Sequence, residues 1–188
     1  MDKIKLEPST NPYPMSVFLV GANVNDKPNF MTVAWVTKVN YRPPIIAASI
    51  NKRQYTAEGI QKTNHFSLNI PSVELIEKVD YCGIVSGRNA DKAKLFDVFY
   101  GELEDAPMIK ECPLCFECNL VDVYNLPLNY LFFGEVVSVY TEKQYLKDSK
   151  LDPKRMDLMV ISLTDNNYWS IGESVGRCYQ TGKNIIEK

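Results

Sequence analysis

The sequence contains a single histidine, His65, among 188 residues. A Ser-His-Asp arrangement for acyl transfer would have to use that residue, and a metal site built from several histidines of one chain is excluded. A charge excess of one sign is also absent, because 21 Lys and Arg residues stand against 23 Asp and Glu residues, for a net charge of −2. Without a basic stripe, the chain is not expected to bind nucleic acid.

Long apolar runs are missing as well. No segment is long and apolar enough to cross a bilayer, and the first residues lack the apolar centre of a secretory signal. We therefore expect a cytoplasmic protein that does not enter the membrane. The five cysteines, an odd number, indicate reduced intracellular thiols rather than a framework of disulfides. With 188 residues, of which 45% are hydrophobic, we expect one domain over residues 1–188.

A ribbon of β-branched and aromatic residues over residues 30–37 holds neither proline nor glycine and predicts one strand. A second apolar strand is predicted over residues 45–50, after a proline-containing break. A polar, basic turn follows, and then Thr56, which is predicted to cap a helix over residues 57–62. A strand end, two cations and a helix N-terminus within one short stretch predict a seat for a phosphate group.

The rest of the chain is predicted as short strands with few helices between them. Two longer strands are separated by Pro127, which forbids a continuous ladder. The predicted strands cover residues 15–24, 65–70, 114–124, 130–140, 158–163 and 168–171; helices are predicted after Ser72, over residues 89–96 and within residues 142–154; a turn is predicted over residues 81–88 and coil from Gly172. Many short strands favour an antiparallel barrel over a doubly wound sheet.

Four short runs stand out together: Thr32-Val-Ala-Trp35, Val39-Asn-Tyr-Arg-Pro-Pro44, Ser49-Ile-Asn51 and Tyr55-Thr56. At these runs the chain resembles the flavin reductase-like, FMN-binding split-barrel family, and within it the flavoredoxin branch. The resemblance spans nearly the whole chain and implies a mainly β fold, an antiparallel split β-barrel with short flanking α-helices. It also implies non-covalently bound FMN and a homodimer with the flavin near the subunit interface.

The resemblance places the Thr32 strand along the flavin. From the residues alone, Val33, Ala34 and Trp35 supply an apolar wall, and Thr32 and Thr37 add hydroxyls. A core strand with a buried tryptophan would show the same pattern. The next run is interpreted as ribityl and phosphate contacts, and the alternative is a solvated turn before a capped helix. The contacts predicted there are Ser49, Ile50, Asn51, Arg53 (or Lys52 as the charge partner) and Thr56.

A second anion contact is predicted from Ser86 and Lys92. Gly87 permits a tight turn there, and the helix predicted from Asn89 offers free N–H groups. The alternative is an ordinary capped helix with its charges in water. The segment is similar to a Ser-Gly-Arg-x-x-Asp-Lys-Phe pattern of the flavoredoxin branch. It departs from that pattern by the pair Ala93-Lys94, so the resemblance supports the assignment of Lys92 less strongly than that of Ser86.

Three cysteines, Cys112, Cys115 and Cys118, have a spacing that suits zinc or an iron–sulfur cluster, given a fourth ligand. On a continuous strand Cys112 and Cys118 face one way and Cys115 the other, so the three converge only if the strand breaks at Pro113. Similar proteins of the resembled family often carry cysteines near these positions without a metal. We therefore predict structural thiols and no metal site.

Two functions remain open. The wider family favours an NAD(P)H-dependent reductase that passes electrons through FMN to a flavin, ferric or protein acceptor. In similar reductases a histidine often precedes the segment matching Phe133-Gly-Glu135, whereas this chain has Asn129, which cannot titrate. That departure favours a flavoredoxin-like electron carrier that serves a redox protein partner. In both cases the chemistry belongs to the flavin, so no side chain is predicted as a catalytic acid, base or nucleophile. A barrel without flavin is the third alternative.

Overall fold

The computed structural model describes residues 2–10 and 13–186. The described residues form fourteen strands: β1 Met15–Ser16, β2 Phe18–Val24, β3 Lys27–Val33, β4 Val36–Asn40, β5 Ile45–Asn51, β6 His65–Ile70, β7 Val98–Phe99, β8 Met108–Ile109, β9 Leu114–Asn125, β10 Asn129–Thr141, β11 Leu146–Lys147, β12 Lys150–Leu151, β13 Met159–Ser162 and β14 Asn167–Ser170. Their α-helices are α1 Tyr55–Thr63, α2 Ile76–Ile84 and α3 Lys183–Ile186. No helix in the described part of the chain is both long and apolar enough to cross a membrane.

Seven of the strands form one antiparallel sheet in the order β3-β2-β6-β9-β10-β5-β4. The two outermost strands, β3 and β4, are consecutive in the chain and are joined by only Ala34 and Trp35, which we call the seam link. Consecutive Cα atoms lie about 3.8 Å apart, so two residues cannot cross the width of a flat seven-stranded sheet. The sheet therefore curls until its edges meet, and the seam link marks where they meet.

The single strand predicted over residues 30–37 is wrong, because the chain forms β3 and β4 with the seam link between them. Each strand has its own neighbour, since β3 pairs with β2 and β4 pairs with β5. The turn is tight: the N–H of Val36 donates to the carbonyl of Ala34 at 3.0 Å, and the N–H of Ser49 donates to the carbonyl of Trp35 at 2.8 Å. Trp35 is 45% exposed and is not the buried core tryptophan of the alternative interpretation.

The other predicted strands are confirmed with small changes of boundary. The first one is interrupted after Ser16, and its initial part, β1, joins a second sheet in the order β1-β13-β14. Met15 pairs there with Ile161, so a hairpin late in the chain lies beside the start of β2. We call residues 159–170 the C-terminal hairpin. The helix predicted within residues 142–154 is limited to one 3₁₀ turn, followed by the short hairpin of β11 and β12.

The helix predicted over residues 57–62 is confirmed, but it begins earlier, at Tyr55, with Gln54 as its N-cap residue. Thr56 therefore does not cap it. The side chain of Thr56 is buried in the first turn, and its Oγ1 accepts a hydrogen bond of 2.7 Å from Nδ2 of the buried Asn29. A tertiary partner has taken the hydroxyl that the local pattern assigned to a cap.

The predictions for residues 81–96 are largely wrong. Helix α2 continues to Ile84 through the predicted turn, and the predicted second helix is reduced to a 3₁₀ turn at Lys92–Leu95. Phe96, just after that turn, packs edge-on against Phe30 with ring centroids 5.5 Å apart. Burying that ring draws the segment onto the sheet, so packing outweighs the local helical pattern.

Four of the five cysteines lie in two separate hydrophobic clusters, and the fifth, Cys178, is exposed. Cys82, Cys112 and Cys115 share one cluster, and Cys118 belongs to the other. Strand β9 begins at Leu114, as predicted, so Cys112 lies before the strand and the alternation expected on a continuous strand does not apply to it. Burial raises the pKa of the Cys82 thiol to about 11 and that of the Cys115 thiol to about 12. Within residues 2–10 and 13–186, no group of three or more His, Cys, Asp and Glu side chains is arranged to hold a metal ion.

Candidate functional site

A cavity of about 350 Å³ opens beside the seam link. Its volume lies in the range of small-molecule sites. Strand β3, at one edge of the sheet, and strand β5, beside the other edge strand, both reach it, and they carry five of the twelve predicted contacts. Seven of these contacts line the cavity together: Thr32, Val33, Ala34, Trp35, Ser49, Ile50 and Asn51.

The apolar side of the cavity contains two backbone donors. Pairing of β3 with β2 ends at Val33 and pairing of β4 with β5 begins at Val36, so the N–H groups of Ala34 and Trp35 lie outside both ladders. Among the described residues, we find no hydrogen-bond acceptor for either N–H group. Free donors beside an apolar wall suit the edge of a flat ring system that carries carbonyl and ring-nitrogen acceptors.

The polar side of the cavity is a short chain of amide and hydroxyl groups. Nδ2 of Asn129 donates to Oγ of Ser49 at 2.9 Å, and Nδ2 of Asn51 donates to Oδ1 of Asn129 at 3.5 Å. Oδ1 of Asn51 accepts from the backbone N–H of Arg53 at 3.0 Å. These groups are held by the register of β5 and β10, in which Asn51 and Asn129 are directly opposite each other. They offer donors and acceptors to a hydroxylated chain.

The start of α1 lies at the polar end. Gln54, its N-cap residue, lines the cavity and makes no side-chain capping bond, so the positive end of the helix dipole faces this region. The guanidinium of Arg53 is exposed and forms no ion pair with another described residue. The neighbouring Arg88 is engaged, since it pairs with Glu58 and donates to the carbonyl of Arg53 at 3.1 Å. An anion can therefore be bound beside Arg53.

A second cavity, of about 570 Å³, also borders the seam link. It shares Ala34, Trp35 and Ser49 with the first, and the predicted contact Thr37 lines it. The half-exposed indole of Trp35 therefore borders both spaces.

A sequence model described as the flavin reductase like domain matches residues 10–155. The chain belongs to the flavin reductase-like family. The flavoredoxin from Methanosarcina acetivorans is 46% identical over 98% of this chain and 100% of that one, with a TM-score of 0.96. The flavoredoxin of Desulfovibrio vulgaris (Miyazaki F) is 33% identical over 96% of this chain and 100% of that one, with a TM-score of 0.90. These likenesses confirm the flavoredoxin branch.

An FMN-binding protein from Thermus thermophilus is 24% identical over 94% of this chain and 97% of that one, with a TM-score of 0.80. At that identity the likeness shows the fold alone. The predicted mainly β split-barrel fold is confirmed by these structures together with a solved split-barrel relative. Membership of the family supports flavin-binding electron transfer, oxidoreductase activity and a flavin as the cofactor. The cavity fits such a ring, because it joins an apolar wall, free N–H donors and a polar end.

Five predicted flavin contacts do not line this cavity: Thr37, which lines the second one, and Arg53, Thr56, Ser86 and Lys92. Arg53 lies next to Gln54 and stays within reach of the polar end, whereas Thr56 is buried against Asn29. Oγ of Ser86 accepts a local hydrogen bond of 3.3 Å from the N–H of Arg88. All five assignments stay predictions.

Lys92 has a structural role that the sequence did not reveal. Its side chain is 3% exposed, and Nζ donates to the carbonyls of Cys82 at 3.1 Å and Val85 at 3.0 Å. These carbonyls lie at the C-terminal end of α2, so the ammonium satisfies groups that the helix leaves open. Burial lowers the pKa of Lys92 despite this pairing.

Sequence reasoning missed several residues that line the cavity. Gly83 comes from α2, and Ile161, Leu163 and Tyr168 come from the C-terminal hairpin. No local signal connects these residues with Thr32, since they are joined to it only by tertiary packing. Asn129 occupies the place where the resemblance implies a histidine, and its amide is part of the polar side of the cavity.

Proposed function

We propose that this chain binds FMN non-covalently in the cavity beside the seam link and passes electrons through it. The observation that carries the proposal is the convergence of an apolar wall, two free backbone donors and the start of α1 at one end of the barrel seam. The likeness to two flavoredoxins and the FMN named for the Thermus thermophilus relative support the choice of FMN over other flavins.

Each side of the cavity has a distinct task in this proposal. The seam link and Val33 hold the ring in an apolar environment and keep water from one face. Ser49 and Asn51 orient the ribityl chain through the amide network that includes Asn129. Arg53 and the positive end of α1 bind the phosphate. Bound FMN supplies the hydride and electron chemistry, and the protein supplies position and electrostatics.

The favoured activity is reduction of a flavin, ferric or protein acceptor with electrons from NAD(P)H. The second candidate, an electron carrier with little direct NAD(P)H activity, is favoured by one observation. Asn129 stands at the polar side, where similar reductases were expected to carry a histidine, and its amide is engaged with Ser49 and Asn51. It supplies no ionisable group near neutral pH to assist a nicotinamide.

Visible absorption of the purified protein, before and after addition of FMN, tests the cofactor. We expect flavin bands that are shifted from those of free FMN and that stay with the protein through gel filtration. An Arg53→Ala variant should bind FMN more weakly than the wild type does. Its affinity for riboflavin should be unchanged, because riboflavin lacks the phosphate. Colourless protein that takes up no FMN would exclude the proposal.

Anaerobic mixing of the FMN-loaded protein with NADH and with NADPH separates the two activities. Bleaching within seconds supports the reductase. No bleaching with either nucleotide, alongside full reduction by dithionite, supports the carrier. An Asn129→His variant sharpens the comparison, since a gain of NAD(P)H-dependent bleaching in that variant would identify the missing histidine as the cause.

We also propose a homodimer formed by one domain over residues 1–188. The half-exposed Trp35 and the wide second cavity leave the ligand site open on one side, which a second subunit would cover. Light scattering at micromolar concentration should give twice the chain mass. A monomeric mass, or two independently folding fragments after limited proteolysis, would contradict this part of the proposal.

A further inference from the structure

One wall of the candidate flavin cavity lies outside the matched family domain. The domain match ends at residue 155, whereas Ile161, Leu163 and Tyr168 line the cavity from the C-terminal hairpin. These three side chains line the same cavity as residues of β3 and the seam link. The hairpin therefore encloses space that the barrel alone would leave open.

The C-terminal hairpin is attached at its base and at its far strand. At the base, Met159 is buried in the cluster beneath α2, and Met15 of β1 pairs with Ile161. At the far strand, the hydroxyl of Tyr168 donates to Oδ1 of Asp80 on α2 at 3.0 Å. This hydrogen bond joins the wall of the cavity to a helix of the barrel.

The same turn of α2 is also hydrogen-bonded to β3. The carbonyl of Val79 accepts a hydrogen bond from Oγ1 of Thr32, and the next residue, Asp80, accepts from Tyr168. Burial, together with the hydrogen bond and charge of Asp80, raises the pKa of the Tyr168 hydroxyl to about 12. The hydroxyl therefore stays protonated and remains a donor throughout the neutral range.

We propose that the C-terminal hairpin, held to α2 by the hydrogen bond between Tyr168 and Asp80, keeps the flavin as a retained prosthetic group instead of an exchanging substrate. Tyr168 is a binding residue of the cavity, and Asp80 is a positioning residue that acts through it. The inference rests on the proposed function, since it concerns the same cavity. With the open side of the site covered in the proposed dimer, release of the ring requires the hairpin wall to move, and the hydrogen bond opposes that movement.

Retention is measured as the rate at which the FMN-loaded protein releases FMN after dilution. The rise in flavin fluorescence reports that release. We expect Tyr168→Phe and Asp80→Ala each to speed release about tenfold, which corresponds to about 1.4 kcal/mol. The double variant should be little faster than either single variant, because both remove one interaction. Asp80→Asn keeps an acceptor oxygen and should restore much of the slow release.

Trp169→Phe is the matched control. Its indole Nε1 donates to Oδ2 of Asp165 at 3.2 Å within the same hairpin, and its side chain, which alternates with that of Tyr168, is 55% exposed. The control therefore loses one hairpin hydrogen bond without touching α2. Release from Trp169→Phe should match the wild type. Equal rates for Tyr168→Phe and wild type, or equal acceleration in the control, would overturn the inference while leaving FMN binding intact.

A second measurement needs no flavin. Amide hydrogen exchange of the flavin-free protein should be faster in residues 159–170 of Tyr168→Phe than in the wild type, with the β2 and β3 hairpin unchanged. Unchanged exchange in residues 159–170 would overturn the inference by itself. A wild type that takes up no FMN would overturn the proposed function as well, so the two failures are distinguishable.

Discussion

Gly83 and Gly59 both lie within helices, but the structure predicts opposite effects for the same substitution at the two positions. A Cβ added at Gly83 in α2 would lie 3.5 Å from Cβ of Thr32, an ordinary van der Waals distance. A Cβ added at Gly59 in α1 would lie 2.5 Å from the carbonyl oxygen of Asn23 and 2.8 Å from Cγ2 of Val24. Space is available at the first position and is absent at the second.

The expected stability changes follow from these distances. Gly83→Ala gains helix propensity and should stabilise the flavin-free protein by about 0.5–1 kcal/mol. Gly59→Ala gains the same propensity but must displace backbone and a branched side chain, an overpacking cost of about 1–3 kcal/mol, so it should be destabilising by about 1–2 kcal/mol. For a chain of this size, each 1 kcal/mol corresponds to a shift in Tm of about 2–4 °C.

The same position also tests the flavin cavity, because Gly83 lines it beside Thr32. A leucine at this position would extend into space that we assign to the flavin. Gly83→Leu should therefore raise the Kd for FMN at least about tenfold, or about 1.4 kcal/mol. Its helix should stay intact, since leucine is a strong helix former.

Urea unfolding of the flavin-free variants and fluorescence titration with FMN measure the two effects separately. A purely structural role for Gly83 would lower stability and FMN affinity together. Destabilisation by Gly83→Ala, or wild-type FMN affinity in Gly83→Leu, would refute the placement of this glycine beside the ligand. Stabilisation by Gly59→Ala would refute the packing argument for α1.

Three further predictions concern a buried carboxylate, the reactivity of the cysteines and the stability at alkaline pH. Glu117 is fully buried, and its carboxylate accepts hydrogen bonds of 3.0–3.1 Å from the N–H groups of residues 101, 102 and 103 and from a tyrosine hydroxyl. Glu117→Gln loses two of these bonds, so it should lower the free energy of unfolding in urea by about 2–4 kcal/mol. The exposed Glu104→Gln in the same loop should change stability by less than about 0.5 kcal/mol. Of the five cysteines only Cys178 is exposed, and we expect one fast-reacting thiol per folded chain in a disulfide-exchange assay and five after unfolding. Burial raises the pKa of the Cys115 thiol from 9.0 to about 12. The stability that the protonated thiol contributes is therefore complete below pH 9 and is lost as the pH rises towards 12. A serine does not titrate in this range, so Cys115→Ser should reduce the decline of the urea midpoint at alkaline pH.

The positions of most strands along the chain, and the apolar run over residues 30–37 that contacts the cavity, could be predicted because they follow from short-range patterns. Strands β5, β6, β9 and β10 are runs of β-branched, aromatic and alternating residues, and such runs specify extended backbone with little outside help. The family motif then identified seven of the residues that line the cavity. Five of these seven lie on β3 and β5, so they depend only on two strands reaching the same place.

Predictions failed where long-range packing decided the outcome. The strand break at Trp35 follows from closure of the sheet, which no local pattern of residues 30–37 encodes. The predicted cap at Thr56 is absent because Asn29 binds its hydroxyl, and the helix predicted over residues 89–96 is reduced to a 3₁₀ turn because Phe96 packs against Phe30. In each case a single tertiary contact outweighed a local preference worth about 1 kcal/mol.

The sequence by itself determined a mainly antiparallel β-chain with an apolar ribbon and a cationic turn suited to a phosphorylated ring. Only the tertiary structure decided that the ribbon lies at the seam of a closed sheet and that Tyr168 supplies a wall more than 130 residues further along the chain than Thr32. The physical reason is that strand formation depends on neighbours within a few residues. Closure and enclosure depend on which distant surfaces bury each other.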